Sequence, residues 1–223
     1  PLLSTPLIAL AADVPTAMLL LLIPTMAINI VSMLRGGRWG ESLGRYWPLA
    51  LFVAAGSIAG TRLLIVTSPE PYKLLMAVVL LGYLNVHRLG RRWQWIRDRR
   101  WTAMAVFGLA AGILAGTVNA AVPALIIYGL ELQLAPTAMV QVFNLCFLAG
   151  KLSQAATFGA SGLFTSRVIA ATLPLALLAL GGLGAGMALR SRFDTRTYRR
   201  WLRRALFLIA IGLLIQYFWG SLA

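Results

Sequence analysis

The sequence predicts an all-α, polytopic integral membrane protein built from two inverted-topology repeats. Three observations carry that prediction. Apolar stretches of about 20 residues follow one another, each long enough to cross a bilayer core of roughly 30 Å. The arginines fall in short loops between those stretches, mixed with tryptophans, as cytoplasmic loops and interfacial anchors do. Short motifs also recur in the same order in the two halves of the chain.

Composition fixes the class before any motif is read. Of 223 residues, 60% are hydrophobic and 12% are charged, about half the roughly 25% charge content of soluble domains. The ten-residue alternating strands of a membrane β-barrel are absent from the sequence pattern. The formal charge of +14 comes mostly from arginine. Because those arginines sit between spans, the charge argues for lipid headgroups as partners and against nucleic acid. The single cysteine, Cys146, excludes an intrachain disulfide and reads as a small core residue.

The elements follow in order. Pro1 to Ala12 is apolar but too short to span. Asp13-Val14-Pro15 opens a helix expected from Thr16 to Leu34, with an acid and a proline suited to the first turn. Arg35-Gly36-Gly37-Arg38 stops it, and a loop is expected to Trp47. Further spans are expected at Pro48–Val66 and Tyr72–Val86, joined by the tight turn Thr67–Pro71. His87 to Trp101 is a basic loop with six arginines and one aspartate. Trp101 to Gln133 is apolar but interrupted, and spans follow at Pro136–Phe158 and Val168–Leu189. Arg190 to Arg204 is a second basic loop with seven arginines, and the last span runs from Ala205 to Phe218.

The repeat divides the chain into halves at 1–100 and 101–223. Pro15-Thr-Ala-Met18 recurs as Pro136-Thr-Ala-Met139, and Pro48-Leu-Ala-Leu51 as Pro174-Leu-Ala-Leu177. The second match also places Gly56 and Gly60 on Gly182 and Gly186. A glycine-stepped helix precedes Pro123, so a matching first helix is expected ahead of Pro1, outside this sequence. Arginine then sets the topology. A full crossing by Trp101–Leu130 would put the seven-arginine loop outside. A re-entrant hairpin keeps it in the cytoplasm, with Trp101–Gly116 as one arm, Thr117–Ala121 as the tip and Val122–Gln133 as the return. Each repeat is then one broken hairpin plus three spans, the plan of many secondary transporters with midplane sites at discontinuous helices.

A glycine-rich helix, a break, a proline–leucine step, a short apolar run and then Pro-x-x-Ala occur as AGTVNAAVPALIIYGLELQLAPTAM and as PLLSTPLIALAADVPTAM. This pattern resembles the TauE/SafE sulfite-exporter family over nearly the whole chain. The break departs from the family's usual glycine-rich form, being Thr117-Val-Asn-Ala-Ala121. The resemblance implies a secondary transporter of small organosulfur anions, such as sulfite, sulfoacetate or related sulfonates. It also implies a multi-pass protein of the bacterial inner membrane.

An anion stripped of water needs donors or positive charge, and helix N-termini supply both. Backbone groups at Ala121, with the side chains of Thr117 and Asn119, are candidate substrate donors; the alternative is that both side chains only satisfy freed backbone. Asn144 and Lys151 are seven residues apart and share a face of the next span. A lysine within a span is a functional candidate, as ligand or coupling group, unless it snorkels to an interface. Asn29 and Ser32 occupy the matching span of the first half. Arg62, near the end of its span, reads as a snorkelling residue or an anion gate, and Gln141 as a second gate candidate. His87, the only histidine, reads as interfacial. No cofactor and no metal site is expected.

Two other classes compete with a carrier working by alternating access. An anion channel shares the broken hairpin. A lipid-modifying membrane enzyme would need a nucleophile or acid–base pair that the sequence lacks. The six carboxylates, Asp13, Glu41, Glu70, Asp98, Glu131 and Asp194, lie at span ends or in loops, so a coupling ion would have to use other groups. The glycine steps read as helix packing within the chain, with a homodimer as the alternative.

Overall fold

A computed structural model describes residues 3–35, 39–85, 93, 95–189 and 195–220. All regular structure among them is helical. Three helices come first: α1 (Ser4–Ala11), α2 (Val14–Leu20) and α3 (Leu22–Arg35). Two long helices follow, α4 (Trp39–Val66) and α5 (Glu70–Asn85). The middle of the chain forms α6 (Trp95–Asp98), α7 (Arg100–Val118) and α8 (Val122–Glu131), and then come α9 (Pro136–Ala160), α10 (Ser166–Leu189) and α11 (Thr195–Gly220). Segments of α4, α7, α10 and α11 are long and apolar enough to cross a membrane, and the bent pair α2–α3 makes a fifth candidate. The 25-residue α9 has the length, about 37 Å, but carries polar residues turned inward.

Three sequence expectations are corrected. The helix expected from Thr16 to Leu34 is two helices bent by 46° at Leu21. Pro24 causes this: it offers no N–H to the turn before it, and its ring crowds the carbonyl of Leu20. Thr25 turns its hydroxyl back onto the carbonyls of Leu21 and Leu22. The expected loop before Trp47 is helical from Trp39. Glu41 there suits the helix N-terminus and stands four residues before Arg45, while Tyr46 is buried in the core. The second basic segment is likewise helical from Thr195. His87 and Arg190–Asp194 lie outside the described residues.

The centre of the fold is a glycine contact. Gly56 and Gly60 of α4 meet Leu109, Gly112, Ile113 and Gly116 of α7, and Gly108 meets Leu49 and Phe52. A Cβ at Gly116 would lie 2.5 Å from the Ser57 carbonyl oxygen, so the two backbones touch through these glycines. The paired positions rise together along both helices, so α4 and α7 are parallel. α9 runs the same way: Val142 and Cys146 share a core cluster with Tyr46 and Leu49, whereas Phe158 shares the opposite cluster with Leu64. The Ser57 hydroxyl donates to the Gly150 carbonyl (2.9 Å) between them.

Because α7 and α9 are parallel, the chain must turn back between them, and α8 is that return. Its end is tied to the segment ahead of α7. The Trp93 amide donates to the Glu131 carboxylate (3.1 Å), and Arg97 donates to the Glu131 carbonyl (2.8 Å). Ring contacts fix the level of that end. Trp93 and Trp95 lie 6.1 Å from Phe107, which lies 5.9 Å from Tyr128. Phe107 to Val118 rises about 17 Å, close to the roughly 15 Å of ten-residue α8.

Arginine-bearing segments gather at one end of the bundle. Arg100 donates to the Arg45 carbonyl (2.8 Å), and Arg35 contacts the Met187 sulfur (3.5 Å). The ends of α3 and α10 therefore meet beside the starts of α4 and α7. The second glycine step differs from the first: a Cβ at Gly182 or Gly186 would meet nothing within 4 Å. Gly112→Leu, forced against the α4 backbone, is expected to destabilise the protein by about 1–3 kcal/mol. Gly182→Leu is expected to leave it unchanged; thermal unfolding of the two purified variants in detergent checks this.

Candidate transport cavity

An internal cavity of about 70 Å³ lies where the hairpin tip, α3 and α9 converge. The tip contributes Ala115, Asn119, Ala121 and Val122; α3 contributes Thr25 and Asn29; α9 contributes Phe147, Gly150, Lys151 and Gln154. Lys151 is the fifteenth residue after the start of α9 and nine before its end, so the cavity lies near mid-span. Its volume is well below the roughly 300–1,000 Å³ of sites for drug-sized ligands. It suits a compact ion of a few heavy atoms.

The tip is held open by its own backbone chemistry. Asn119 caps α7 in the left-handed conformation (φ 56°, ψ 33°), which asparagine tolerates better than most residues. The amides of Asn119 and Ala120 return to the carbonyls of Ala115 and Leu114, each at 3.1 Å. The side-chain amide of Asn119 donates to the Thr5 hydroxyl of α1 (2.6 Å). The tip is thereby joined to the first half of the chain. Val122 starts α8 after only two intervening residues, with Pro123 in its first turn and no side-chain cap at Ala121. Ala121 and Val122, at the start of α8, stand on the cavity wall.

Lys151 is 5% exposed and points inward. Its Nζ donates to the Gln154 amide oxygen (2.5 Å), and the Gln154 NH2 group faces the Ala115 carbonyl (3.5 Å). Snorkelling is therefore not what this lysine does. Across the cavity, Asn29 is 5% exposed and its side-chain NH2 has no hydrogen-bond partner. A buried donor left idle costs free energy unless something supplies an acceptor.

The sequence candidates divide. Asn29, Asn119, Ala121 and Lys151 line the cavity. Thr117 does not: its hydroxyl bonds back to the Ile113 carbonyl (2.7 Å), the backbone-satisfying alternative. Asn144 and Gln141 are buried on α9, two and nearly three turns from Lys151 toward the arginine-bearing end. The NH2 group of Asn144 is also without a partner. Ser32 is partly buried near the end of α3, and Arg62 is exposed on α4; both lie off the cavity. The sequence reading missed Thr25 and did not select Gln154. Gln154 was signalled by its i+3 spacing from Lys151, and Thr25 by its place after Pro24.

A multi-span helical protein with a small mid-span cavity at a broken helix, walled in part by buried polar side chains, has the build of a membrane transporter. The family model described as Sulfite exporter TauE/SafE matches residues 1–214, and the chain belongs to that family. It is accordingly a transporter and not an enzyme. No curated protein and no solved structure matches the chain. Asn119→Ala removes both the left-handed cap and the bond to Thr5. It is expected to lower stability by about 1–3 kcal/mol, read as an earlier thermal unfolding midpoint.

Proposed function

We propose that this protein carries small organosulfur anions across the bacterial inner membrane by alternating access, binding them in the Lys151 cavity. The family's description as a sulfite exporter supports the substrate class. The observation that carries the site is the pairing of Lys151 with the unpartnered Asn29 donor across one small cavity. A sulfite or sulfonate headgroup offers three oxygens and at least one negative charge. Lys151 supplies charge, Asn29 supplies N–H donors, and the uncapped start of α8 adds amide dipoles. Asn144 and Gln141 mark a buried polar route from the cavity toward the arginine-bearing end.

The same reading treats the halves, 1–100 and 101–223, as inverted repeats. Several packing pairs support this exchange of elements, the contacts of α7 apart. α4 on α9 corresponds to α10 on α3, and α8 on α5 to α1 on α11; α5 with α11 and α3 with α9 map onto themselves. The Gly182–Gly186 face of α10, the counterpart of the Gly56–Gly60 face of α4, is bare. The arginine-bearing end is then cytoplasmic, with the turns at Ser68 and Thr165 both outside.

Two measurements test this. Sulfite, sulfoacetate, thiosulfate and methanesulfonate are expected to raise the thermal unfolding midpoint of the purified protein, and choline is not. Lys151→Met should lose the shift; an unchanged shift removes Lys151 from the site. With Cys146 replaced by alanine, single cysteines at Ser68 and Thr165 should both react with an impermeant maleimide from the periplasmic side. Labelling from opposite sides would defeat the inverted topology.

A further inference from the structure

The charge balance of the cavity points to its coupling ion. Lys151 is the one ionisable side chain on the cavity wall among the described residues. Its hydrogen-bond acceptor is the neutral amide of Gln154. The helices packed against α9 are α3, α4, α7 and α8. Their titratable groups lie elsewhere: Arg35 on α3, Glu41, Arg45, Tyr46 and Arg62 on α4, Arg100 on α7, and Tyr128 and Glu131 on α8. Cys146, on α9 itself, is also off the wall. Asp13, the acid ahead of the α2–α3 pair, accepts from the Thr16 amide (2.6 Å). No carboxylate among the described residues is therefore placed to balance a Lys151 cation.

An isolated ammonium in such a space is costly, and so is an isolated anion. The two costs cancel when both charges are present together. Resting on the anion reading above, we propose that Lys151 is a proton site and that the protein moves one proton with each monovalent anion. The empty cavity holds the neutral amine, donating one N–H to Gln154. Loading is Lys151–NH2 plus a proton plus the anion, giving Lys151–NH3+ paired with the anion. Release on the other side runs in reverse and returns the amine. The cavity is uncharged in both forms, so the carrier crosses its midpoint with no net buried charge. Linkage makes the two affinities reciprocal: a proton strengthens anion binding by the factor by which the anion strengthens proton binding.

The test uses the full protein in proteoliposomes with methanesulfonate, a compact anion that stays ionised across the physiological pH range. A trapped pH dye reports the lumen. Methanesulfonate entry is expected to acidify the lumen, one proton per anion. An acidic exterior should drive its accumulation by about tenfold per pH unit, without response to a potassium–valinomycin potential. Lys151→Arg holds a fixed charge; whatever exchange rate it supports, its accumulation should no longer follow the pH gradient. Entry of methanesulfonate into wild-type vesicles without lumen acidification overturns the proton site while leaving the anion site standing. So does pH-driven accumulation by Lys151→Arg. If methanesulfonate neither binds nor moves, the anion site fails and the proton site with it. Should Lys151→Arg not fold, the wild-type proton count alone decides.

Discussion

Backbone contact between α4 and α7 sets the rest of the arrangement. In a membrane, helices gain little from hiding apolar side chains from one another, so close approach through small residues counts for more. Here Gly56, Gly60, Gly108, Gly112 and Gly116 bring two parallel helices into touch. α9 packs in the same direction against α4. Three parallel neighbours, two of them joined by 17 residues, force a return. The break at Asn119–Ala121 and the short α8 are the consequence. The cavity exists because a returning ten-residue helix does not fill the space that a full span would occupy.

Around that cavity the polar groups are few, and each has a defined role. Asn119 closes α7 and grips α1. Gln154 orients Lys151 by holding its amide between the lysine and the Ala115 carbonyl. Asn29 is carried into place by the bend at Leu21, which swings α3 away from the line of α2. Non-helical backbone at this depth is tolerated because it is buried in protein instead of facing lipid.

Much of this was legible in the sequence because membrane physics is written in coarse signals. Apolar length marked the spans, and arginine placement favoured a hairpin over a full crossing at Trp101–Leu130. α7 and α9 run parallel, with the short α8 between them. Lys151 stood out because a lysine within a span demands a reason. The misses share a cause. The bend at Leu21 depended on one proline, Pro24, in an otherwise uninterrupted apolar run. The helical start of α4 was hidden by glycines and arginines that resemble a loop. Ser32 shares the helix face of Thr25 and Asn29 but lies a turn beyond them, and Arg62 is exposed on α4, which gives the cavity no wall. Thr117 had the right chemistry and a nearer partner in the Ile113 carbonyl. Whether a polar side chain faces a ligand or its own backbone is a matter of one rotamer, which residue type does not encode.

The two attachments of α8 have a mechanical meaning. Its start is pinned through Asn119 to α1, and its end through Glu131 to Trp93 and Arg97. Between these points it is one short rigid rod. A displacement at either end is therefore delivered at the other with little loss. Trp93 and Arg97 belong to the segment that joins the two halves of the chain, and Thr5 belongs to the first half. α8 is thus a strut held at both ends by residues that precede α7, and the wall it gives the cavity follows those anchors.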